Sequence, residues 1–460
     1  MLHRLPLVEM ASLARSGAVS SQELIEAHLA RIEQVNPHFN AFTMVLADQA
    51  RASARRADQG LKMGALHGVP VTVKDSFEVA GLPTRLGSYF APEAPASEDS
   101  AVVQRLRRAG AIVLGKTNTP EFLASYETDN FLTGRTNNPW NVERTPGGSS
   151  GGEAAAIASG CSPGGVGGDG GGSIRVPAHF CGIAGLKPTP GRISLIGHLP
   201  SEAAMGIMVA GPMARSVADV RLLFEVLAGY DDRDPLSAPV EMRAPTIDGV
   251  RVGVFETFYD IPVQAAVRRA VREAAALLAG LGFAVDSFRP EGLERASNLW
   301  SFFFAELPAR ESRARIAGRE SEAHWTYTEN LGKLLERPPA SGWQVIESLA
   351  ARDRMRRMLV QQMRNVPFLL MPVSSVVAFP HRERSFATEG KKVGLFHAMM
   401  PVTVFNLLGL PALTVPVTLD EQGMPVGVQI VGRPWEEEAL LELGVALETA
   451  RGPFEGPREP

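Results

Sequence analysis

The 460-residue sequence has only two cysteines, Cys161 and Cys181. Two thiols cannot form a disulfide framework in a chain of this length, which excludes the small cross-linked secreted folds. We therefore expect both cysteines to be buried free thiols, and we expect the protein to work in the reducing cytoplasm.

The sequence also lacks an excess of charge of either sign and any cluster of metal-ligand residues. The 46 basic and 50 acidic residues give a formal net charge of −4, so the composition predicts no nucleic acid partner. The nine histidines are scattered, and neither an H-E-x-x-H motif nor a Cys/His cluster occurs. We therefore predict no metal and no cofactor.

An unbroken apolar run long enough to cross a membrane is missing as well. The N-terminal run before Glu9 is too short for a secretory signal. Residues 393–419 carry no formal charge and are long enough for a span, but Asn406, Gly409 and three prolines interrupt them. This segment therefore predicts a helix, a turn and a buried strand, and no membrane span.

Strand-like and helix-like patterns alternate along most of the chain. Valines alternate with other residues over 68–74, which predicts a strand that ends at Lys74. Two more strand patterns, at 249–255 and 282–288, enclose an Ala-rich helical stretch, as in α/β folds with partly parallel strands. We therefore predict a single α/β domain over residues 1–460.

Two segments depart from this alternation. Residues 290–365 predict charge-rich helices and contain an aromatic cluster, Trp300 and residues 302–304. This cluster either packs in the core or forms the wall of an apolar substrate pocket. Residues 451–460 are rich in proline and charge, and we predict that they are disordered.

The most unusual segment is GGVGGDGGGSIRVP at 164–177, in which seven of the first nine residues are glycine. Its neighbours are an Ala-rich helix and an apolar run, which argues against a flexible linker. It contains a G-x-G-x-x-G pattern, but it lacks the acidic residue that follows a dinucleotide-binding loop about 20 positions later. Consecutive glycines can instead turn backbone N–H groups toward a ligand, as an oxyanion hole requires, and Ser173 follows them directly.

A second serine-glycine segment, TPGGSSGGEAAA, lies upstream and contains Ser149 and Ser150. Read literally, G-x-S-x-G around Ser149 is the nucleophile elbow of α/β-hydrolases. An elbow follows a buried strand, however, whereas Arg-Thr-Pro precedes this one. An α/β-hydrolase-type esterase that uses Ser149 is therefore the weaker alternative. Its catalytic histidine would be one of four candidates, His198, His324, His381 and His397.

Lys74 is the candidate base for a serine nucleophile. The chain has only seven lysines beside 39 arginines, and Lys74 lies on an otherwise uncharged strand. Burial disfavours the ammonium form and can supply a neutral amine near pH 7, which an arginine cannot. The alternative is an ordinary strand end, either solvated or paired with Asp75.

Three segments in this order, GVPVTVKD, TPGGSSGGEAAA and GGDGGGSIRVPAHFCGIAGLKPT, resemble the amidase signature hydrolases, in particular broad bacterial amidases and fatty-acid amide hydrolase-like members. The agreement continues in LGKTNTPEF, GPMARSVAD, NLLGLPALTVP and MPVGVQIVGRP, so it spans nearly the whole chain apart from 290–365. The resemblance implies a single α/β fold with a mixed central β-sheet enclosed by helices on both faces. It also implies that 290–365 is a variable helical insert that shapes the substrate pocket.

The resemblance further implies a Ser-cisSer-Lys triad. Ser173 corresponds to the nucleophile, Ser149 to the bridging serine, whose preceding peptide bond is cis, and Lys74 to the base. The implied oxyanion hole consists of the backbone N–H groups of Gly170, Gly171, Gly172 and Ser173. The implied supporting residues are Ser150, Asp169 and Arg175.

The implied activity is hydrolysis of the C–N bond of linear amides through an acyl-enzyme intermediate, with aryl amides, esters or carbamates (urethanes) as further substrates. The aromatic and Met-rich segments 300–304 and 396–400 point to an apolar or aryl small molecule, although core packing explains them equally well. We leave open whether the chain forms a homodimer.

The sequence departs from the common family pattern at three positions. Gly168 and Gly170 stand where hydroxyl residues are usual, which removes two hydrogen-bonding groups from the loop. Val176 stands where the A-type subunits of amidotransferases typically carry glutamine. This difference argues against the alternative of an A-type subunit that delivers ammonia to a partner.

Overall fold

The computed structural model describes residues 1–61, 64–200, 206–244, 246–329 and 331–459. The strands are β1 (Phe42–Val45), β2 (Pro70–Lys74), β3 (Ile112–Thr117), β4 (Gly164–Asp169), β5 (Ala184–Lys187), β6 (Val209–Ala214), β7 (Arg251–Val254), β8 (Ala284–Ser287), β9 (Phe368–Pro372), β10 (Ser385–Thr388), β11 (Lys391–Gly394), β12 (Ala412–Leu419) and β13 (Pro425–Val431). The helices are α1 (Leu7–Ser16), α2 (Ser21–Phe39), α3 (Ala47–Gln59), α4 (Ala101–Arg108), α5 (Gly151–Ala158), α6 (Arg175–Cys181), α7 (Val217–Leu227), α8 (Ala265–Gly280), α9 (Ala296–Ser301), α10 (Ala309–Arg315), α11 (Trp325–Thr328), α12 (Leu331–Leu335), α13 (Gly342–Gln362), α14 (Leu395–Ala398), α15 (Met400–Leu407) and α16 (Glu437–Arg451).

Eleven of these strands form one mixed sheet in the order β1-β3-β2-β4-β6-β5-β12-β13-β9-β7-β8. Strand β2 is parallel to both β3 and β4, and β7 is parallel to both β8 and β9. The remaining neighbours in the sheet are antiparallel. The predicted α/β fold with a mixed central sheet is therefore confirmed.

Helices cover both faces of this sheet. On β6, Ala210 and Ala214 belong to the core that α7, α8 and α16 build, whereas Met213 belongs to a second core with α5 and α6. Successive residues of a strand point to opposite faces, so the two cores lie on opposite sides of the sheet. The helical enclosure that the family resemblance implied is thus present.

The strand predicted to end at Lys74 is β2, and the first six residues of the glycine segment form the neighbouring strand β4. The sequence pattern did not predict a strand from such glycines. Close packing explains why glycine occupies this strand, because a Cβ at Gly165 would lie 2.2 Å from Thr72 O and 2.1 Å from Glu153 Oε1. Glycine at this position lets the two strands and a buried carboxyl group approach each other.

The uncharged segment 393–419 folds as predicted, into helices α14 and α15, a turn and the buried strand β12. Gly409 makes the turn with a φ of +69°. Within the described ranges, no helix is both long enough and apolar enough to cross a membrane.

The segment 290–365 contains helices α9 to α13 in its described part, and residues Phe302–Glu306 form a π-helical turn directly after α9. These helices place the aromatic cluster beside the end of β4. That the segment 290–365 is a variable insert remains a prediction.

Two smaller expectations concern the cysteines and the C-terminal tail. Both cysteines are buried free thiols, as predicted. The tail predicted to be disordered has no helix or strand between Gly452 and Glu459, its described part after Arg451, but it contacts the body of the protein. The Phe454 and Trp140 rings lie 6.0 Å apart, and Arg31 donates a hydrogen bond to Glu459 at 2.6 Å.

Candidate active site

Lys74 is the last residue of β2, and its side chain is fully buried. Its Nζ donates a hydrogen bond to Ser149 Oγ at 2.6 Å. The adjacent Asp75 pairs instead with Lys116 of β3, at 2.7 Å. The alternative in which Lys74 is a solvated strand end or a partner of Asp75 is therefore wrong.

The environment of Lys74 makes a neutral amine accessible. Burial lowers the pKa of Lys74 to about 7, while the nearby carboxyl groups of Asp169 and Glu153 act in the opposite direction. Burial also raises the pKa of Glu153 to about 7. Its carboxyl group accepts hydrogen bonds from the hydroxyls of Thr72 and Thr117, at 2.5 and 2.7 Å.

Ser149 lies two residues before the start of α5 and follows a cis peptide bond from Gly148. The backbone around it is tightly packed, because a Cβ at Gly148 would lie 2.5 Å from Ser125 O. Gly147 adopts a φ of +86°, and a Cβ there would lie 2.9 Å from Pro177 Cα. Both positions therefore require glycine, which explains the Gly-Gly pair before this serine.

Ser173 ends the glycine segment and is half-buried. Its carbonyl oxygen accepts a hydrogen bond from Ser150 N at 3.1 Å, and Ser150 Oγ donates to Gly168 O at 3.3 Å, so Ser150 ties the two serine segments together. The Ser173 hydroxyl has no hydrogen-bond partner within the described residues. It lines a cavity of about 150 Å³, where it is accessible to a substrate.

The carboxylate of Asp169 organises the turn between β4 and α6. It accepts hydrogen bonds from the N–H groups of Gly172 and Ile174, at 2.7 and 3.1 Å, and from Arg175 Nε and Nη2, both at 3.1 Å. Asn406 Nδ2 donates to it as well, at 2.9 Å. Burial raises the pKa of Asp169, but the Arg175 guanidinium and these hydrogen bonds hold it well below its usual range.

The four predicted oxyanion donors differ in their hydrogen bonding. The N–H of Gly172 is already bonded to Asp169, so the prediction that Gly172 stabilises an oxyanion is not supported by this geometry. No acceptor among the described residues bonds the N–H groups of Gly170, Gly171 and Ser173. These three groups are the backbone donors that remain for a substrate oxygen.

The unusual glycines at 168 and 170 have a steric explanation. A Cβ at Gly168 would lie 2.7 Å from Nε2 of the buried His198, and a Cβ at Gly170 would lie 2.6 Å from Phe304 Cε2. The imidazole and the phenyl ring thus fill the space that hydroxyl side chains would need. His198 Nε2 also forms a hydrogen bond with Ser76 Oγ at 3.2 Å, and this hydrogen bond holds the imidazole beside the loop.

The aromatic cluster serves both of the roles considered from the sequence. Phe303 is buried in the core, whereas Trp300 and Phe304 also line the cavity beside Ser173. The Trp300 and Phe304 rings are stacked, with centroids 4.9 Å apart and planes 17° apart. They therefore form one flat aromatic wall of the cavity.

The elbow arrangement at Ser149 lacks its histidine. The partner of the Ser149 hydroxyl is Lys74, and no histidine of the described residues hydrogen-bonds it. His198 contacts Ser76, His324 contacts Thr326, and His381 contacts Val142 O. The geometry therefore does not support an α/β-hydrolase-type esterase.

Sequence reasoning missed Tyr126 and Asn406, two residues that hold the glycine segment. Tyr126 donates its hydroxyl to Gly171 O at 2.8 Å, and Asn406 Nδ2 donates to Asp169 O at 2.9 Å. These partners are 45 and 237 residues apart in the chain, so no local pattern connects them. The one available signal was Asn406 itself, a polar residue within the uncharged segment 393–419.

Comparison with known proteins gives a consistent assignment. The model of the family described as Amidase matches residues 23–441. The chain is 37% identical to the A-type subunit of glutamyl-tRNA(Gln) amidotransferase from Anaeromyxobacter sp. (strain K), over 100% of this chain and 99% of that protein. It is 35% identical to indoleacetamide hydrolase of Bradyrhizobium diazoefficiens, over 97% of this chain and 86% of that protein. The structure of a bacterial aryl acylamidase of the amidase signature family superposes with a TM-score of 0.88 at 27% identity, over 98% of this chain and 96% of that one.

The buried pair of Asp169 and Arg175 should be essential for stability. In Asp169→Asn, the guanidinium stays buried without a counter-charge, and removal of one partner of such a pair costs about 3 to 5 kcal/mol. We expect a clearly lower melting temperature in a thermal unfolding experiment followed by circular dichroism. The control is Glu256→Gln, which removes the exposed partner of Arg272 and should leave the melting temperature nearly unchanged. Equal melting temperatures for the two variants would contradict this prediction.

Proposed function

The chain belongs to the amidase family of hydrolases that act on C–N bonds, and on that basis we propose that it hydrolyses neutral amides with apolar or aryl groups. Ser173 is the nucleophile of this reaction, Ser149 the proton relay and Lys74 the base. The observation that carries the proposal is the buried hydrogen bond from Lys74 Nζ to Ser149 Oγ. Ser150 N, next to Ser149, donates to Ser173 O, and Ser173 lines the cavity.

The first half of the reaction forms an acyl-enzyme. Neutral Lys74 accepts the proton of Ser149, Ser149 accepts the proton of Ser173, and Ser173 Oγ attacks the carbonyl carbon of the amide. The carbonyl oxygen becomes an oxyanion. As the C–N bond breaks, Ser149 returns a proton to the leaving nitrogen and recovers its own from Lys74, and the acyl group stays on Ser173 as an ester.

The second half releases the product. Water attacks the ester carbonyl while the same relay accepts its proton. The relay then returns this proton to Ser173 Oγ as the Ser173–acyl bond breaks, which gives a carboxylic acid and restores the Ser173 hydroxyl. The N–H groups of Gly170, Gly171 and Ser173 stabilise both oxyanions. Removal of one such donor typically lowers the rate about 10²- to 10³-fold, so three of them account for a large part of the catalysis. Esters, aryl amides and carbamates (urethanes) would react through an equivalent acyl or carbamoyl intermediate.

The lining of the cavity supports a neutral substrate. Among the described residues it contains aromatic, aliphatic and hydroxyl side chains but no charged one. Glutamine, the ammonia donor of an amidotransferase, carries an ammonium and a carboxylate group, and burial of such charges without partners is costly. The cavity lining therefore gives the amidotransferase alternative less support, although several relatives bear that name. Two other relatives are named for indoleacetamide and aryl acylamide hydrolysis, which agrees with an aryl substrate.

The triad assignment predicts which serine reacts. A fluorophosphonate probe should label Ser173 in the wild-type protein, and Ser173→Ala should lose both labelling and anilide hydrolysis. Lys74→Ala and Ser149→Ala should lower kcat about 10²- to 10⁴-fold, since they remove the proton relay. The control Lys392→Ala changes an exposed lysine of β11 and should behave like wild type. Labelling at Ser149, or full activity in Lys74→Ala, would refute the assignment.

The uncharged cavity predicts a strong preference against charged amides. 4-Nitrophenylacetamide and 4-carboxyphenylacetamide form a matched pair, because a nitro group has nearly the size and shape of a carboxylate but no net charge. The carboxylate must enter without a counter-charge at a cost of about 3 kcal/mol or more, so we expect its kcat/KM to be at least about 100-fold lower. Glutamine should be an equally poor substrate. Preferred hydrolysis of glutamine, together with stable co-purification of a second protein, would favour the amidotransferase role instead.

The pKa of Lys74 predicts the pH dependence of the reaction. Lys74 must be neutral to accept a proton, so kcat/KM should rise with pH through an apparent pKa of about 7 and level off above it. Because the Glu153 carboxylate raises the pKa of Lys74, Glu153→Gln should shift this rise to lower pH. Glu256→Gln, far from the site, should leave it in place. A shift to higher pH in Glu153→Gln would contradict the prediction.

A further inference from the structure

We propose that Trp300 is a positioning residue of the oxyanion hole: its indole N–H holds Gly170 O and thereby fixes the direction in which the Gly171 N–H meets the substrate oxygen. This inference rests on the proposed function. It adds a residue from the aromatic wall of the cavity to the machinery that stabilises the transition state.

The hydrogen bond that carries the inference joins Trp300 Nε1 to Gly170 O, at 2.8 Å. Trp300 is only 6% exposed, so water does not compete effectively for this carbonyl. The 170–171 peptide bond is trans, and in a trans peptide the C=O and N–H groups point in opposite directions. Anchoring the oxygen of Gly170 therefore fixes the N–H of Gly171.

The same aromatic pair also packs directly against the backbone of these two glycines. A Cβ at Gly171 would lie 2.4 Å from Trp300 Cζ2, and a Cβ at Gly170 would lie 2.6 Å from Phe304 Cε2. Three consecutive glycines have more conformational freedom than any other tripeptide, and that freedom must be removed for a preorganised site. The stacked rings restrict the backbone by contact, and the indole N–H restricts its rotation.

Trp300 belongs to α9, within the segment 290–365, which contains none of the sequence motifs on which the resemblance to the family was based. It lines the cavity together with Ser173 and Phe304. The Trp300 side chain therefore contacts both the cavity and the backbone whose N–H groups would bind the carbonyl oxygen of the substrate. Changes in this segment should therefore alter the rate of catalysis and not only the binding of the substrate.

Tyr126 provides a matched comparison. Its hydroxyl donates to Gly171 O at 2.8 Å, so it anchors the next carbonyl of the same loop. The N–H of that peptide belongs to Gly172 and is already bonded to Asp169 at 2.7 Å. Tyr126→Phe and Trp300→Phe each remove one donor from one loop carbonyl. Only Trp300→Phe removes the hydrogen bond that fixes the direction of an N–H group proposed to bind the substrate.

The test compares Trp300→Phe and Tyr126→Phe on a small acetanilide and a larger aryl anilide. We expect kcat of Trp300→Phe to fall about 10- to 100-fold, less than the full loss of an oxyanion donor, with little change in KM. The factor should be the same for both substrates, because the carbonyl oxygen is common to them. The kcat of Tyr126→Phe should fall clearly less than that of Trp300→Phe. A loss that appears in KM and grows with the size of the acyl or aryl group would overturn the inference, since Trp300 would then be a pocket wall only.

A second measurement does not depend on how much of the variant folds. A thioamide accepts hydrogen bonds more weakly than its amide, so the amide-to-thioamide rate ratio within one preparation reports on the oxyanion hole. This ratio should fall in Trp300→Phe and stay close to wild type in Tyr126→Phe. An unchanged ratio in Trp300→Phe would overturn the inference. If Ser173→Ala remains active, the proposed function itself fails, whereas an inactive Ser173→Ala with a normal Trp300→Phe rejects only the role of Trp300.

Discussion

The buried ion pair between Asp169 and Arg175 is the interaction on which the geometry of the site depends. Asp169 is the last residue of β4 and Arg175 the first of α6, so the pair closes the turn that contains Ser173. The guanidinium also bonds Gln429 of β13 at 3.0 Å and Asn406 of α15 at 2.5 Å. Since a buried charge without its partner costs several kcal/mol, these four elements must meet in one arrangement, and that arrangement sets the direction of the loop amides.

Desolvation is the second constraint, and it acts at Lys74. A Cβ at Gly165 of β4 would meet Thr72 of β2, so no side chain fits between the two strands there, and the Lys74 side chain at the end of β2 is fully buried. The same burial that lowers the pKa of Lys74 raises that of Glu153, so the interior of the protein favours the neutral form of a residue that is normally a cation.

The aromatic segment around α9 connects the lining of the cavity to the glycine turn. Trp300 and Phe304 form a flat wall of the cavity, and they fill the space that side chains at 170 and 171 would occupy. A hydroxyl residue at 170, as is usual in the family, would displace Phe304. The glycine run and the aromatic wall are therefore complementary parts of one structure, and neither is explained without the other.

Local patterns in the sequence were enough to place several elements and to single out the candidate reactive residues. Valine alternation located β2, interrupted apolar patterning located α15 and β12, and the order of three short segments identified Lys74, Ser149 and Ser173 as candidates. Three features emerged only from the fold: β4 is a strand of glycines, Asp169 accepts the hydrogen bond of the Gly172 N–H, and His198 and Phe304 fill the space that side chains at 168 and 170 would need. The physical reason is that these features arise from contacts between residues distant in the chain, and neither spacing nor composition records which backbone group a remote side chain will reach.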